Sequence, residues 1–235
     1  MIGDIAHICN RGFSKHETFS ETADFRRFVE SLYKFNNRNG AVRFQGKNLF
    51  SDPPPQDRIV DILKWSLLKN HYHLLLHERV QGGIVEFVKR LGNGYTKYFN
   101  IKNRRSGYLF QNSAKIIPIQ EDRHFLYIPF YVELNPLDAF DTRWRTDGIK
   151  NVSGALDFLE NYRWSSYRDY EKEKEFSCLL SKKVFYDLFE SGEKSHKKET
   201  FDFIRKPPLN DENEGFSTPT SQPTSQPGRL TGWLN

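Results

Sequence analysis

Two histidines separated by a single residue, His71 and His73, are the side chains of this sequence best suited to chemistry. The run 71–77 is short and mostly apolar, which predicts a β-strand. Residues two apart on a strand point to the same side, so the two imidazoles would lie next to each other. Neutral imidazole is a common ligand of divalent metals. The pair therefore predicts a metal site, although two hydrogen-bonded histidines at a hairpin end would produce the same pattern.

A tyrosine and an asparagine four residues apart, Tyr131 and Asn135, form the second chemical feature. On a helix this spacing places both side chains on one face, one turn from each other. Pro136 follows directly and favours the end of a helix there. On these residues alone, a core tyrosine followed by a helix-terminating asparagine is the better interpretation.

The spacing of apolar residues predicts the elements that would hold these side chains. Residues 59–68 and 71–77 indicate two strands of an antiparallel hairpin. The other predicted elements are strands at 5–9 and 115–119 and helices at 21–35, around 84–99 and from 122 to 135. This order predicts an α+β, ferredoxin-like fold, in which helices pack on one face of an antiparallel sheet.

Composition limits the class of protein. A mean hydropathy of −0.71 and 28% charged residues favour a soluble chain, and no apolar run approaches the roughly 20 residues of a membrane helix. Residues 1–4 carry no basic region leading into an apolar stretch, so we expect no signal peptide. The two cysteines, Cys9 and Cys178, cannot form a disulfide framework or a four-cysteine zinc site. A reducing cytoplasm is the expected location.

One stretch of the chain carries charge of a single sign. The segment 89–115 contains seven basic and no acidic residues, whereas the whole chain has a net charge of only +5. Such a segment attracts polyanions, although a solvated helix face and loop would have the same composition. The basic residues are Lys89, Arg90, Lys97, Lys102, Arg104, Arg105 and Lys115.

Six short motifs follow one another between about residue 5 and residue 170. They are Cys9-Asn10-Arg11-Gly12, His71-Tyr72-His73 with its trailing leucines, Gly94-Tyr95-Thr96-Lys97-Tyr98-Phe99-Asn100, Gly107-Tyr108-Leu109-Phe110-Gln111, Leu134-Asn135-Pro136 and Trp164-Ser165-Ser166-Tyr167. Each motif alone is weak, and the six in this order are specific. Together they resemble the one-tyrosine HUH transposases, in particular the REP-associated tyrosine transposases of bacteria.

The resemblance implies a role for individual residues. His71 and His73 match the pair that binds a catalytic metal, Mg²⁺ or Mn²⁺, and Asn135 matches the position that commonly completes the metal site. Tyr131 matches the nucleophile. Its attack on DNA would leave a 5′-phosphotyrosine and a free 3′-hydroxyl, and the retained bond energy would allow rejoining without ATP.

One residue departs from the expected pattern. Pro129 lies inside the predicted helix, where proline costs about 3 kcal/mol or forces a kink. The helix would then begin late or bend, and Tyr127 becomes a rival nucleophile. Tyr131 is favoured because only Tyr131 keeps the spacing to Asn135.

The resemblance also implies partners. We expect single-stranded DNA with an adjacent hairpin, a monomer or homodimer, no membrane, and a bacterial cytoplasmic protein that joins the nucleoid when bound to DNA. The predicted phosphate contacts are Lys97, Arg104, Arg105 and Lys115. Tyr95, Tyr98 and Tyr108 could stack on unpaired bases, although core packing is the better interpretation for the first two.

The predicted organisation has three parts. Residues 1–150 would form the HUH endonuclease domain, 151–205 a helical and aromatic extension, and 206–235 a disordered tail rich in Pro, Ser and Thr. Two alternatives remain open. One is a non-catalytic nucleic-acid-binding protein derived from a transposase. The other is a metal-dependent nuclease that uses water and does not need Tyr131.

Overall fold

The computed structural model of the protein describes residues 3–40, 56–172, 174–190 and 196–205. The predicted disordered tail, 206–235, lies outside these residues. Four strands form one sheet: β1 (Ile5–Arg11), β2 (Val60–Leu68), β3 (His71–Glu78) and β4 (Lys115–Pro118). In the described part of the chain, eight α-helices accompany the sheet: α1 (Thr22–Phe35), α2 (Gly83–Lys102), α3 (Asp122–Leu134), α4 (Trp144–Asp147), α5 (Val152–Asn161), α6 (Tyr167–Glu171), α7 (Lys182–Phe189) and α8 (His196–Arg205).

The sheet has the strand order β2-β3-β1-β4, and every neighbouring pair is antiparallel. Along the chain the first elements follow the order β1-α1-β2-β3-α2-β4. This is the ferredoxin-like arrangement, so the predicted α+β fold class is confirmed. The two central strands, β3 and β1, are the ones that carry the candidate site.

Helices cover both faces of the sheet, so the expectation that they cover one face was wrong. On one face Tyr72 packs against Phe28 of α1, with ring centroids 4.8 Å apart. On the other face the Ser66 hydroxyl donates to the backbone carbonyl of Val132 in α3 at 2.6 Å. Strands β2 and β3 are buried on both sides, and they therefore lack the alternation of apolar and polar residues that marks a half-exposed strand.

Gly94 lies inside α2, although glycine has a low helix propensity. A Cβ atom at Gly94 would overlap the ring of Phe35 from α1. Glycine at this position therefore lets the two helices approach closely, which offsets its low helix propensity. Helix α3 likewise begins at Asp122 and continues through Pro129 without a late start.

Residues beyond 150 pack against the same sheet. The backbone amide of Leu67 donates to the carbonyl of Trp164 at 2.8 Å, so residues 164–166 run along the edge strand β2. This contact covers an edge that would otherwise present unpaired backbone groups. A second apolar cluster joins α3 to the C-terminal helices and consists of Leu134, Leu137, Ala155, Leu156, Leu159, Tyr167 and Ile204.

Candidate active site

The two predicted metal ligands lie on the face of β3 that is covered by α3. Their rings meet edge to face, with centroids 5.2 Å apart for His71 and His73. Both side chains are buried, with 9% and 6% exposure respectively. The strand geometry expected from the one-residue spacing is therefore present.

Each of these imidazoles has an outer hydrogen-bonding partner. His71 Nδ1 lies 2.6 Å from the amide oxygen of Asn70, so this nitrogen carries the proton. His73 Nδ1 lies 2.9 Å from Nε2 of His7, a residue of β1. Because Nδ1 is engaged in both rings, Nε2 is the nitrogen available for a ligand, and the outer partner fixes the orientation of each ring.

Burial keeps these histidines neutral near pH 7. Loss of hydration, with a smaller contribution from the charge of Arg11, lowers the pKa of His71 to about 4. Burial also holds the pKa of His73 well below its usual value, and neighbouring His7 lowers it further. A histidine needs its neutral form to bind a metal, because the protonated ring has no free lone pair.

Helix α3 presents Tyr131 to the histidines. The Tyr131 ring lies edge-on to His73 and to His7, with centroid distances of 5.5 Å and 5.6 Å. The Tyr127 ring lies 5.6 Å from that of Tyr131 and 5.5 Å from that of Phe203 in α8. The direct ring contacts with His7 and His73 favour Tyr131 as the candidate nucleophile.

The phenol of Tyr131 is less acidic than free tyrosine. Burial raises the pKa of Tyr131 to about 12, although the charge of Arg145 opposes this shift. The Arg145 guanidinium carbon lies 5.1 Å from the centroid of the Tyr131 ring. Arg145 is therefore placed to stabilise negative charge beside the tyrosine, a position that sequence reasoning missed.

Asn135 lies one turn after Tyr131, at the start of a short 3₁₀ segment. Its side-chain amide donates to the backbone carbonyl of Tyr131 at 2.6 Å. Its oxygen accepts a hydrogen bond from Arg145 at 2.8 Å. The structure thus ties Asn135 to the tyrosine and to Arg145, and its oxygen would have to exchange the arginine contact before it bound a metal.

Two further residues missed by sequence reasoning join the site from β1. One ligand atom from each of His7, Cys9 and His73 lies within 4.8 Å of those of the other two. Antiparallel pairing explains the cluster, because Cys9 lies directly opposite His73 in the β1–β3 register. The available signal was the one-residue spacing of His7 and Cys9, the same spacing that marks His71 and His73.

Burial affects the two new residues in opposite directions. It lowers the pKa of His7 to about 3, so this ring is also neutral at pH 7. It raises the pKa of the Cys9 thiol, against the opposing influence of Lys115 and Arg11. These directions follow from the cost of burying a charged group.

The predicted DNA contacts lie at the surface. Lys97, Arg104, Arg105 and Lys115 are all exposed. Two other basic residues of the 89–115 segment instead form ion pairs, Arg90 with Glu86 at 2.8 Å and Lys102 with Asp24 at 2.6 Å.

The three tyrosines of this segment differ in exposure. Tyr95 is buried and its hydroxyl donates to the carbonyl of Thr18 at 2.6 Å, so the core interpretation is confirmed for it. Tyr98 is half-buried, and its hydroxyl donates to Asp24 at 3.0 Å. Tyr108 is 87% exposed, which leaves its ring accessible.

Comparisons with known proteins give a likeness to solved structures alone. No family model matches the sequence, and no curated protein matches it. Among solved structures, one described as a REP associates tyrosine transposase bound to a REP hairpin is similar, with 12% identity and a TM-score of 0.41. The match covers 73% of this chain and 81% of that chain. At this TM-score the likeness adds nothing to the fold assignment, which follows from the strand order.

In the part of the chain that the structure describes, no helix combines the length and apolar character needed to cross a membrane.

Proposed function

We propose that this protein cuts and rejoins single-stranded DNA through a covalent bond to Tyr131, with the help of a divalent metal. The observation that carries the proposal is the contact of Tyr131 with His73 at the neutral two-histidine pair. The six sequence motifs that resemble one-tyrosine HUH transposases support the same function. A water-using nuclease would have no need of a tyrosine at this position.

The residues present fit a divalent cation. His71 and His73 are neutral, and outer partners orient both rings through Nδ1. With the amide oxygen of Asn135 in place of its bond to Arg145, the donor set would be two nitrogens and one oxygen, which suits Mn²⁺ or Mg²⁺. When bound, the ion would polarise the scissile phosphate and offset its charge.

The chain's own residues account for the transfer step. The Tyr131 oxygen loses its proton and bonds to phosphorus, the bond from phosphorus to the 3′-oxygen breaks, and that oxygen leaves as a protonated hydroxyl. Arg145 lies beside the tyrosine ring and would stabilise the charge of the phenolate and the phosphate. The reverse attack by a 3′-hydroxyl on the phosphotyrosine rejoins the strand.

Recognition of DNA would use the exposed part of the basic segment. Lys97, Arg104, Arg105 and Lys115 would contact phosphates, and Tyr108 would stack on an unpaired base. Arg105 donates to the backbone carbonyl of Tyr108 at 2.8 Å, which places charge and ring in one loop. A DNA hairpin flanked by a single strand, bound by one or two copies of the chain, is the substrate we propose.

Covalent trapping tests the proposal against both alternatives. The purified chain is incubated with Mg²⁺ or Mn²⁺ and hairpin-flanked single-stranded oligonucleotides labelled at either end, then denatured and separated by electrophoresis. A denaturation-resistant adduct that retains the fragment 3′ of the cut supports the tyrosine mechanism. Cutting without an adduct would indicate a water-using nuclease, and binding without cutting would indicate a non-catalytic protein.

A further inference from the structure

We propose that His7, Cys9 and His73 form a second metal site, selective for Zn²⁺, which shares His73 with the pair His71 and His73. The ligand atoms of these three residues already lie within 4.8 Å of one another. They come from two hydrogen-bonded strands, so the sheet itself fixes their spacing. The zinc site does not depend on the proposed DNA chemistry.

The pairing of β1 with β3 explains why the three ligands converge. Cys9 lies opposite His73, and His7 lies opposite Leu75 on the same face of the sheet. The rings of His7 and His73 stack in nearly parallel planes, 7° apart, with centroids separated by 5.1 Å. Their facing nitrogens, His7 Nε2 and His73 Nδ1, are 2.9 Å apart. A cation at this point would replace the proton that the two nitrogens now share.

The donor atoms select the kind of cation. Two imidazole nitrogens and a soft thiolate sulfur suit Zn²⁺, whereas Mg²⁺ prefers oxygen and is not expected on a thiolate. Three protein ligands leave the fourth tetrahedral position to water, a common arrangement for zinc in proteins. Metal binding would displace the thiol proton of Cys9, since the thiolate is the ligand form.

The two metal sites share one residue, and this has a consequence for His73. The hydrogen bond between His73 Nδ1 and His7 Nε2 orients the His73 ring for the proposed catalytic metal. Zinc on the same nitrogens would break that bond and draw His73 toward β1. His73 therefore cannot bind zinc and support the proposed catalytic metal at the same time. We expect Zn²⁺ to inhibit the proposed DNA cleavage.

Direct metal titration of the full chain without DNA tests the site. Co²⁺ serves as a spectroscopic probe, because cobalt bound to thiolate gives an intense ligand-to-metal absorption in the near ultraviolet. Zn²⁺ is then added to displace it, and Mg²⁺ is added in a parallel sample. The variants compared are Cys9→Ser, His7→Ala and His71→Ala, with Cys178→Ser as the matched control for loss of a thiol.

The proposal expects one Co²⁺ per chain, a thiolate absorption band, and displacement by Zn²⁺ but not by Mg²⁺. Cys9→Ser should abolish the band and weaken Zn²⁺ binding by about 100-fold or more. Cys178→Ser and His71→Ala should bind Zn²⁺ like the wild type. The proposed zinc site would be overturned if Cys9→Ser bound Zn²⁺ as tightly as the wild type, or if Cys178→Ser lost Zn²⁺ binding. It would also be overturned if His71→Ala lost Zn²⁺ binding while Cys9→Ser kept it.

Two features of the design keep the result interpretable. Serine closely matches cysteine in size, so Cys9→Ser tests the ligand even where the larger change His7→Ala unfolds the chain. No DNA is present, so a failed zinc titration leaves the proposed strand transfer standing. Conversely, a chain that binds zinc but forms no DNA adduct would contradict only the proposed function.

Discussion

Two buried polar clusters lie on the same face of the sheet under α3, and they differ in how their charges are satisfied. The imidazole cluster is His7, Cys9, His71 and His73, and the ion cluster is Lys64, Glu133, Ser166 and His196. In the ion cluster each charged group has a charged or polar partner. In the imidazole cluster the rings are held neutral by burial.

The ion cluster is built around one carboxylate. Lys64 Nζ and His196 Nε2 each lie 2.9 Å from Glu133 Oε2, and the Ser166 hydroxyl donates to Oε1. Burial alone would raise the pKa of Glu133, but the positive charge of Lys64 outweighs burial and lowers this pKa to about 2. Lys64 also lies 3.5 Å from the centroid of the Tyr170 ring. The cluster joins β2 to α3 through Lys64 and Glu133, and it joins α8 to α3 through His196.

This difference indicates that the ion cluster has a structural role and that the imidazole cluster can bind a ligand. Both oxygens of the buried Glu133 carboxylate already have partners, namely the Lys64 ammonium, the His196 ring and the Ser166 hydroxyl, so the cluster holds α3 in place rather than binding a ligand. The neutral rings of His71 and His73, whose Nδ1 atoms already have partners, present their Nε2 atoms to the space between the sheet and α3. Tyr131 belongs to the second cluster and Glu133 to the first, although they are two residues apart on one helix.

The largest expected effect is on the nucleophile. Tyr131→Phe should lower the rate of DNA nicking at least about 10³-fold, because the lost hydroxyl is the attacking group. DNA binding and thermal stability should stay near the wild-type values, since volume and charge barely change. Nicking assays beside binding measurements check this. Tyr127→Phe is the matched control. If Tyr127→Phe lost nicking and Tyr131→Phe kept it, the nucleophile would be Tyr127.

The histidine pair should behave as ligands rather than as packing. His71→Ala and His73→Ala should each reduce metal-dependent nicking by about 100-fold or more. The cost in unfolding free energy should be only about 1 kcal/mol. Chelation of the metal from the wild type should give the same loss of activity. A large fall in melting temperature would instead identify the pair as hydrogen-bonded supports of the hairpin.

The ion cluster should show the opposite behaviour. Glu133→Gln should lower the unfolding free energy by about 3–5 kcal/mol, because Lys64 is left buried without its counter-charge. The double variant Lys64→Met with Glu133→Leu should be less destabilised than the single one, since both charges are then absent. Denaturant unfolding measures both. If Glu133→Gln changes stability by less than about 1 kcal/mol, the contrast between the clusters is wrong.

The smallest expected effect concerns the exposed basic loop. The double variant Arg104→Ala with Arg105→Ala should weaken DNA binding more at low salt than at high salt. Each phosphate contact removed should lower the slope of log affinity against log salt by about 0.7 for single-stranded DNA. Parallel lines for wild type and variant would show that these arginines are merely solvated. Lys89→Ala, which removes an exposed charge from the same segment, is a useful comparison.

Much of this fold could be predicted because its elements carry local signals. Apolar spacing located β1 to β4 and α1 to α3, and their order predicted the ferredoxin-like sheet. The short helices α4 and α6 escaped prediction because four or five residues are too few to show a helical period. The Trp164-Ser165-Ser166-Tyr167 motif was recognisable, but its position along the edge of β2 depends on long-range contacts.

The candidate site shows where local sequence reasoning stops. The relation of His71 to His73 is local, because a strand alone places them on one side. The approach of His7 and Cys9 to His73 requires the register between two strands 60 or so residues apart in sequence. Arg145 reaches Asn135 from a segment without a motif. Site residues that are brought in by strand register or by short helices can be identified only from the three-dimensional structure.

The most direct test of the central proposal is to locate the covalent bond. The wild-type protein is trapped on a hairpin-flanked oligonucleotide, digested with protease and nuclease, and fragmented in a mass spectrometer to find the residue that carries the nucleotide. We predict that the nucleotide is attached through a phosphate to Tyr131, and that the adduct disappears in Tyr131→Phe but persists in Tyr127→Phe. Attachment to Tyr127 or to any other residue would contradict this account of α3 and the imidazole cluster.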